Sequence, residues 1–183
     1  MLRALSLVFG LVTLAAAASA QTMEFACPKP GTAFTFDSGT VATARGQQGM
    51  DCTMQKADGS TFKVRALLFA NPAPDGSDIT SFIDALKPER LWPLQVGKKI
   101  EASYRAGGRT WNYILTVARF ENRRGPNDEM FDAFVIEMHE QGDKGQRSLS
   151  RWWVSPAEKY VLRFDWSDSN GKANRAVVTD VKH

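Results

Sequence analysis

Histidine and cysteine are almost missing from this chain, with two of each in 183 residues. A structural zinc site takes about four ligands, and His183 is the terminal residue, so no metal site is expected. The cysteines, Cys27 and Cys52, are too far apart for a Cys-x-x-Cys redox motif. A Gly-x-Ser-x-Gly elbow, a phosphate-cradling glycine loop and a dinucleotide fingerprint are also lacking, so no cofactor and no catalytic residue are assigned. Asp165, Asp168 and Asn170 cluster in "DWSDSNGK", but an EF-hand loop needs a different spacing and a distant Glu, and the stretch reads as a hairpin turn.

Charge of one sign is lacking too. The formal net charge is +3, and residues 21–183 carry 22 basic against 20 acidic side chains, a net of +2. Nothing in that balance draws the molecule toward nucleic acid. The one long apolar run, Leu5 to Ala18, is too short to span a bilayer comfortably. With Arg3 before it and Ala18-Ser19-Ala20 after it, the run has the layout of a secretory signal peptide cleaved after Ala20. Residues 1–20 are therefore expected to be the leader and residues 21–183 a single β-rich domain, exported, soluble and periplasmic, with no transmembrane span after cleavage. In that oxidising compartment an even pair of cysteines forms a bridge, so Cys27 and Cys52 are expected to be joined.

What the chain does have is alternation. "MDCTMQKADGSTFKVRALLFA" sets the turn pair Asp58-Gly59 between two alternating runs, and "YVLRFDW" meets "ANRAVVTDV" across Asn170-Gly171. The one helical pattern, "SDITSFIDALK", places Ile79, Phe82, Ile83 and Leu86 on one stripe, with Ser77 or Asp78 to cap it and Pro88 to stop it. From Leu91 onward the pattern is β, with short connections between consecutive strands. The fold class is mainly β: a curved antiparallel meander, a half-barrel or open barrel, with one short helix.

Three strands are apolar on both faces. In "FDAFVIEM", Phe131, Ala133 and Val135 alternate with Phe134, Ile136 and Met138. "TWNYILTVARF" sets Trp111, Tyr113, Leu115 and Val117 against Ile114, Ala118 and Phe120. In "SLSRWWVS" adjacent Trp152 and Trp153 must point to opposite faces. Either both faces of the sheet are covered, or an aromatic lines a groove. Trp111, Tyr113, Trp152, Trp153 and Trp166 are the groove candidates. Lys98, Lys99, Arg105 and Arg109 form a candidate basic patch on one hairpin, suited to anionic headgroups or an acidic partner. His139, the only internal histidine, lies between Glu137 and Glu140 and supplies the alternative reading, a hydrolase or transferase of envelope polymers.

"LWPLQVGKK", "TWNY", "FDAFVIEMHE" and "RWWVSP", in that order over residues 90–167, resemble a family of uncharacterised bacterial envelope proteins of unknown function with WPL-x-x-GK and WW-x-SP motifs. Some members are similar to the lipoprotein-localisation half-barrels, curved sheets around an apolar groove with a helical lid. The resemblance implies architecture and compartment and brings no catalytic residues. The expectation is a non-enzymatic binding or interaction module of the cell envelope, holding an apolar ligand or a segment of another envelope protein, with its oligomeric state open. A purely structural envelope-stability factor is a third reading.

Overall fold

The structure is a computed structural model and describes residues 21–183, so the expected leader lies outside the described residues. Thirteen strands follow in chain order: β1 (Thr22–Met23), β2 (Ala33–Phe36), β3 (Val41–Gln48), β4 (Asp51–Lys56), β5 (Thr61–Arg65), β6 (Phe69–Asn71), β7 (Leu94–Gln95), β8 (Lys99–Ala106), β9 (Arg109–Arg124), β10 (Met130–Gly142), β11 (Arg147–Ser155), β12 (Tyr160–Asp168) and β13 (Ala173–Lys182). Two meanders, β2 to β6 and β8 to β13, join edge to edge through antiparallel pairing of β2 with β13. The result is one antiparallel sheet of eleven strands whose edges are β6 and β8.

Those edges do not pair with each other. Between them lies the helix α1 (Thr80–Leu86). Its Phe82 ring meets Phe69 of β6 at 5.7 Å, and Tyr104 of β8 and Tyr113 of β9 at 5.8 and 5.0 Å. Phe69 in turn stands 5.5 Å from Trp152 of β11, so the sheet curls until its first and last thirds face each other. This is the expected mainly β, open-barrel architecture with one short helix, and α1 fills the seam.

Local chemistry sets the elements. The β4–β5 turn places Gly59 at φ +85°, a conformation that costs glycine little, and Asp58 accepts the Ser60 amide at 2.9 Å. The helix starts two residues later than the first candidate cap suggests. Asp78 accepts the Thr80 amide at 2.9 Å and the Thr80 hydroxyl at 2.6 Å, closing a turn of its own, and Ile79 takes the cap position. Lys87, left-handed at φ 51°, ends the helix ahead of Pro88. Ile83 and Leu86 are buried while Ile79 and Phe82 are half-buried, so the expected stripe does face inward.

Most of the apolar interior forms one cluster on the inner face, with contributions from both meanders. The two-faced strand β10 divides as its sequence alternates. Phe134, Ile136 and Met138 enter that cluster; Ala133 and Val135, with Trp153 and Phe131, form a small second cluster on the outer face. On β9 the alternation breaks at a bulge, where Ile136 pairs with Val117 and Val135 with Arg119. The extra residue, Ala118, turns Phe120 inward against Phe134 at 4.9 Å. The expected pairing of Cys27 with Cys52 is present, at a Cα separation of 5.5 Å, and ties the N-terminal arm to β4. The arm also adds β1 to β7, a pairing that two residues of sequence do not announce.

Candidate functional site

Where the two halves of the curled sheet face each other, they leave an apolar groove of about 380 Å³. One wall comes from Phe62 and Val64 of β5, Phe69 of β6, and Ala73, Pro74 and Ile79 of the loop leading to α1. The other comes from Met138, Trp152, Val161 and Phe164 on β10 to β12, and from Phe36 and Ala176 where β2 meets β13. Strand alternation sends Phe62 and Val64 inward and leaves Lys63 outside, and the Asn71–Asp78 and Asn71–Thr80 hydrogen bonds pin the loop over the groove.

Among the described residues no charged side chain lines this space, and the lining residues with a side-chain nitrogen or oxygen are Ser150, Tyr160 and Trp152. Tyr160 is 5% exposed and stacks on Phe34 at 4.2 Å. Burial alone pushes its phenol above the ordinary range, with no hydrogen bond and no neighbouring charge acting on it, so the hydroxyl stays neutral and available as a donor. At the rim, Lys56 Nζ stands 5.9 Å from the centre of the Phe62 ring. A larger hollow of about 800 Å³ opens elsewhere, between β9, β10 and the chain end. It mixes Glu129, Asp132 and Glu158 with exposed Met130, and so lacks a continuous apolar wall.

Of the five aromatic candidates, the structure brings Trp152 into the groove. Tyr113 is buried beneath Phe82, and its phenol is pushed up to about 12, by burial first and then by the nearby Glu140 and Tyr104. Trp111 packs over Gly142 at the end of the inner face, where an added Cβ would meet its ring at 3.2 Å. Trp166 is half-buried and borders a shallow hollow with Arg151 and Arg175. The groove's other wall, Phe62, Phe69 and Ile79, escaped sequence reasoning, because alternation marks an inward residue without saying what stands opposite.

Trp153 has a different setting. It lies on the outer face at 4% exposure, and the guanidinium groups of Arg123 and Arg163 each stack 4.9 Å from its ring centre. Its indole N–H donates to Glu121 at 2.7 Å, and Arg119 binds both Glu121 at 2.6 Å and Glu137 at 3.2 Å. Arg151 also donates to Glu137 at 2.9 Å. Burial pushes both carboxyls up, and the hydrogen bonds and positive charges of their partners outweigh it, so each is held below its ordinary range. The two guanidinium groups that flank Trp153 oppose each other, and burial and that repulsion together lower the pKa of Arg123.

His139 lies on the same outer face with its side chain 60% exposed, 3.8 Å from Glu137. Its paired neighbours across the ladder are Ile114 and Leu149, neither of which offers a nucleophile or a proton acceptor. The four candidate basic residues separate. Lys98 donates to the carbonyls of Trp92 and Pro93 at 2.7 and 3.1 Å, and Lys99 pairs with Glu101 at 2.6 Å, all at the base of the β8–β9 hairpin. Arg105 and Arg109 stand at its exposed tip. Among the described residues, no group of three or more His, Cys, Asp or Glu side chains is placed to hold a metal ion, and no helix is long and apolar enough to cross a membrane.

No protein-family model and no curated protein matches the chain. Among solved structures, the hypothetical lipoprotein YmcC from Escherichia coli overlays with a TM-score of 0.44 at 10% identity, over 80% of each chain.

Proposed function

We propose that this chain is an exported protein of the bacterial cell envelope that holds an acyl-type apolar ligand in the groove between its two meanders, without catalysing a reaction. The observation that carries the reading is the lining: aromatic and aliphatic walls enclosing about 380 Å³, within the range of small-molecule sites, with Ser150, Tyr160 and Trp152 the only described lining residues that carry a side-chain nitrogen or oxygen. An alkyl chain asks for nothing more. A peptide lying in the same space would bring a row of backbone amides and carbonyls against only three polar side chains, Ser150, Tyr160 and Trp152, so the groove favours a chain without polar groups along its length. The Tyr160 hydroxyl inside and the Lys56 ammonium at the rim suit the polar end of such a ligand. The leader-like residues 1–20 and the Cys27–Cys52 bridge support export to an oxidising periplasm.

The test is titration of delipidated protein with the fluorescent fatty acid cis-parinaric acid, alongside native mass spectrometry of protein purified without detergent. Saturable binding is expected at micromolar probe. Phe164→Asp, which sets an unpaired carboxylate on the groove wall from a half-buried position, should weaken it by at least about tenfold, one decade being about 1.4 kcal/mol. Absence of saturable binding up to about 100 μM, or an unchanged affinity in a folded Phe164→Asp, refutes the acyl reading.

A further inference from the structure

We infer that the three hairpin tips at one end of the C-terminal meander form a docking surface for an anionic lipid bilayer, beside the mouth of the groove. The β8–β9, β10–β11 and β12–β13 turns all fall at the same end of the sheet because the strands alternate in direction. They are also bonded to one another. Asp143 of the second tip donates its amide to Thr110 of the first at 3.1 Å and accepts the Thr110 amide on its carboxylate at 3.2 Å. Ser169 of the third donates to the Arg147 carbonyl of the second at 2.9 Å.

This shared rim carries Arg105, Arg109, Lys144, Arg147, Lys172 and Arg175, all exposed, and among the described residues none of the six is ion-paired. Against them stand only Asp143 and Asp168 within residues 105–109, 142–147 and 168–175, and Asp168 is occupied by the Asn170 and Lys172 amides. The rim is therefore +4 (six minus two), while residues 21–183 as a whole are +2, which leaves −2 for the remainder. Lys98 and Lys99 take no part: Lys99 is six strand residues from Arg105, about 20 Å, and both are already engaged.

The shape selects the partner. Six exposed cations spread over three tips converge on no buried donor set, so they suit an extended sheet of phosphates better than a single small anion. The groove mouth lies beside them, since Ala176, next to Arg175, and Phe164 line its near wall. The turns behind the opposite wall hold both signs: Lys56 stands over Phe62, and the Asp58 and Asp75 carboxylates hold their own turns through Ser60 and Ser77. The excess of cations thus lies on the near side, and docking by that rim would present the opening to the source of acyl chains. The choice of a bilayer over another polyanion rests on the groove reading above; the charge asymmetry does not.

The experiment is flotation of the full mature chain with vesicles of phosphatidylcholine alone or with about one lipid in four replaced by phosphatidylglycerol. Binding to the anionic vesicles only is expected, lost at about 0.5 M salt, where screening is nearly complete at contact range. Replacing all six cations by Gln should weaken it by about a hundredfold or more, each pair on one tip should give a graded part of that loss, and Lys29→Gln with Lys63→Gln should leave it intact. Equal binding to both vesicle types, retained binding in the six-site variant, or capture by heparin without vesicle binding would overturn the proposal. Parinaric acid titration separates the two readings: a wild type that binds the probe but does not float keeps the groove and loses the rim, and one that floats without binding the probe does the reverse.

Discussion

Trp153 offers the sharpest test of how the two-faced strands are stabilised. Cutting it to Ala removes a side chain that is 4% exposed and packed on Ala133 and Val135, a loss of about 3–5 kcal/mol for a buried tryptophan. It also strands two half-buried guanidinium groups, whose stacking on the ring contributes roughly 0.5–1 kcal/mol each. A total near 5 kcal/mol is a large share of a typical domain's stability and should lower the melting temperature by about 10–20 °C. Trp153→Phe keeps an aromatic face for both arginines but takes the donor from Glu121, and because Glu121 retains Arg119 the cost should be about 1–2 kcal/mol. Urea unfolding followed by circular dichroism, with the m-value unchanged, reads both numbers. A loss below about 1 kcal/mol for the Ala variant, or equal losses for Ala and Phe, would refute this account of the outer face. Neither variant should alter parinaric acid affinity, since Trp153 points away from the groove that Trp152 lines.

Two further outcomes are expected. Thiol titration of the protein denatured without reductant should find no reactive cysteine, and replacing Cys27 and Cys52 by Ala should cost about 3.5 kcal/mol for a loop of 25 residues without loss of strand signal; two free thiols would refute the bridge. Glu121 and Glu137 have folded pKa values below an unfolded value of about 4.3, so their contribution is complete above that pH and drains away as pH falls through the lower folded values. Glu121→Gln with Glu137→Gln should therefore be less stable than the wild type at pH 7 by a margin that narrows below about pH 4, and parallel stability curves across that range would contradict the assignment.

The sequence carried the strand content, the helix stripe, the cysteine pair and the division of β10 into two faces, because alternation at period two reports on each residue's own neighbours. It did not carry what those faces meet. Trp152 and Trp153 had to diverge, yet nothing local says that Arg163 from β12 and Arg123 from β9 close over one ring while Phe69 from the other meander approaches its neighbour. The β2–β13 junction decides which side chains confront each other across the groove, and it joins residues about 140 positions apart. Register irregularities were equally hidden. Ala118 looks like any small strand residue, and only the bulge there shows why Phe120 leaves the face on which simple alternation would set it. The basic patch was misgrouped for the same reason: four cations close in sequence sit at the two ends of one hairpin, while partners for its tip come from turns 35 to 70 residues further on.

The outer face explains why the groove, and not the second aromatic, is the place to look for a ligand. A tryptophan on a solvent-side face ordinarily signals a partner, because apolar area left in water costs free energy in proportion to its extent. Here the chain supplies its own cover. The guanidinium groups of Arg123 and Arg163 each stand 4.9 Å from the ring centre, and Glu121 and Asp165 hold them in place, Asp165 at 2.6 Å from Arg163. On the inner face Trp152 is equally buried, at 5% exposure, with Phe69 and Phe164 against its ring, and it is the half-buried Phe62, Ile79 and Phe164 that line the opening between the meanders without an arginine over them. Under the proposed function, the face tiled with arginines is closed by the chain itself, and the face lined by aromatics and aliphatic chains is the one that receives the apolar molecule.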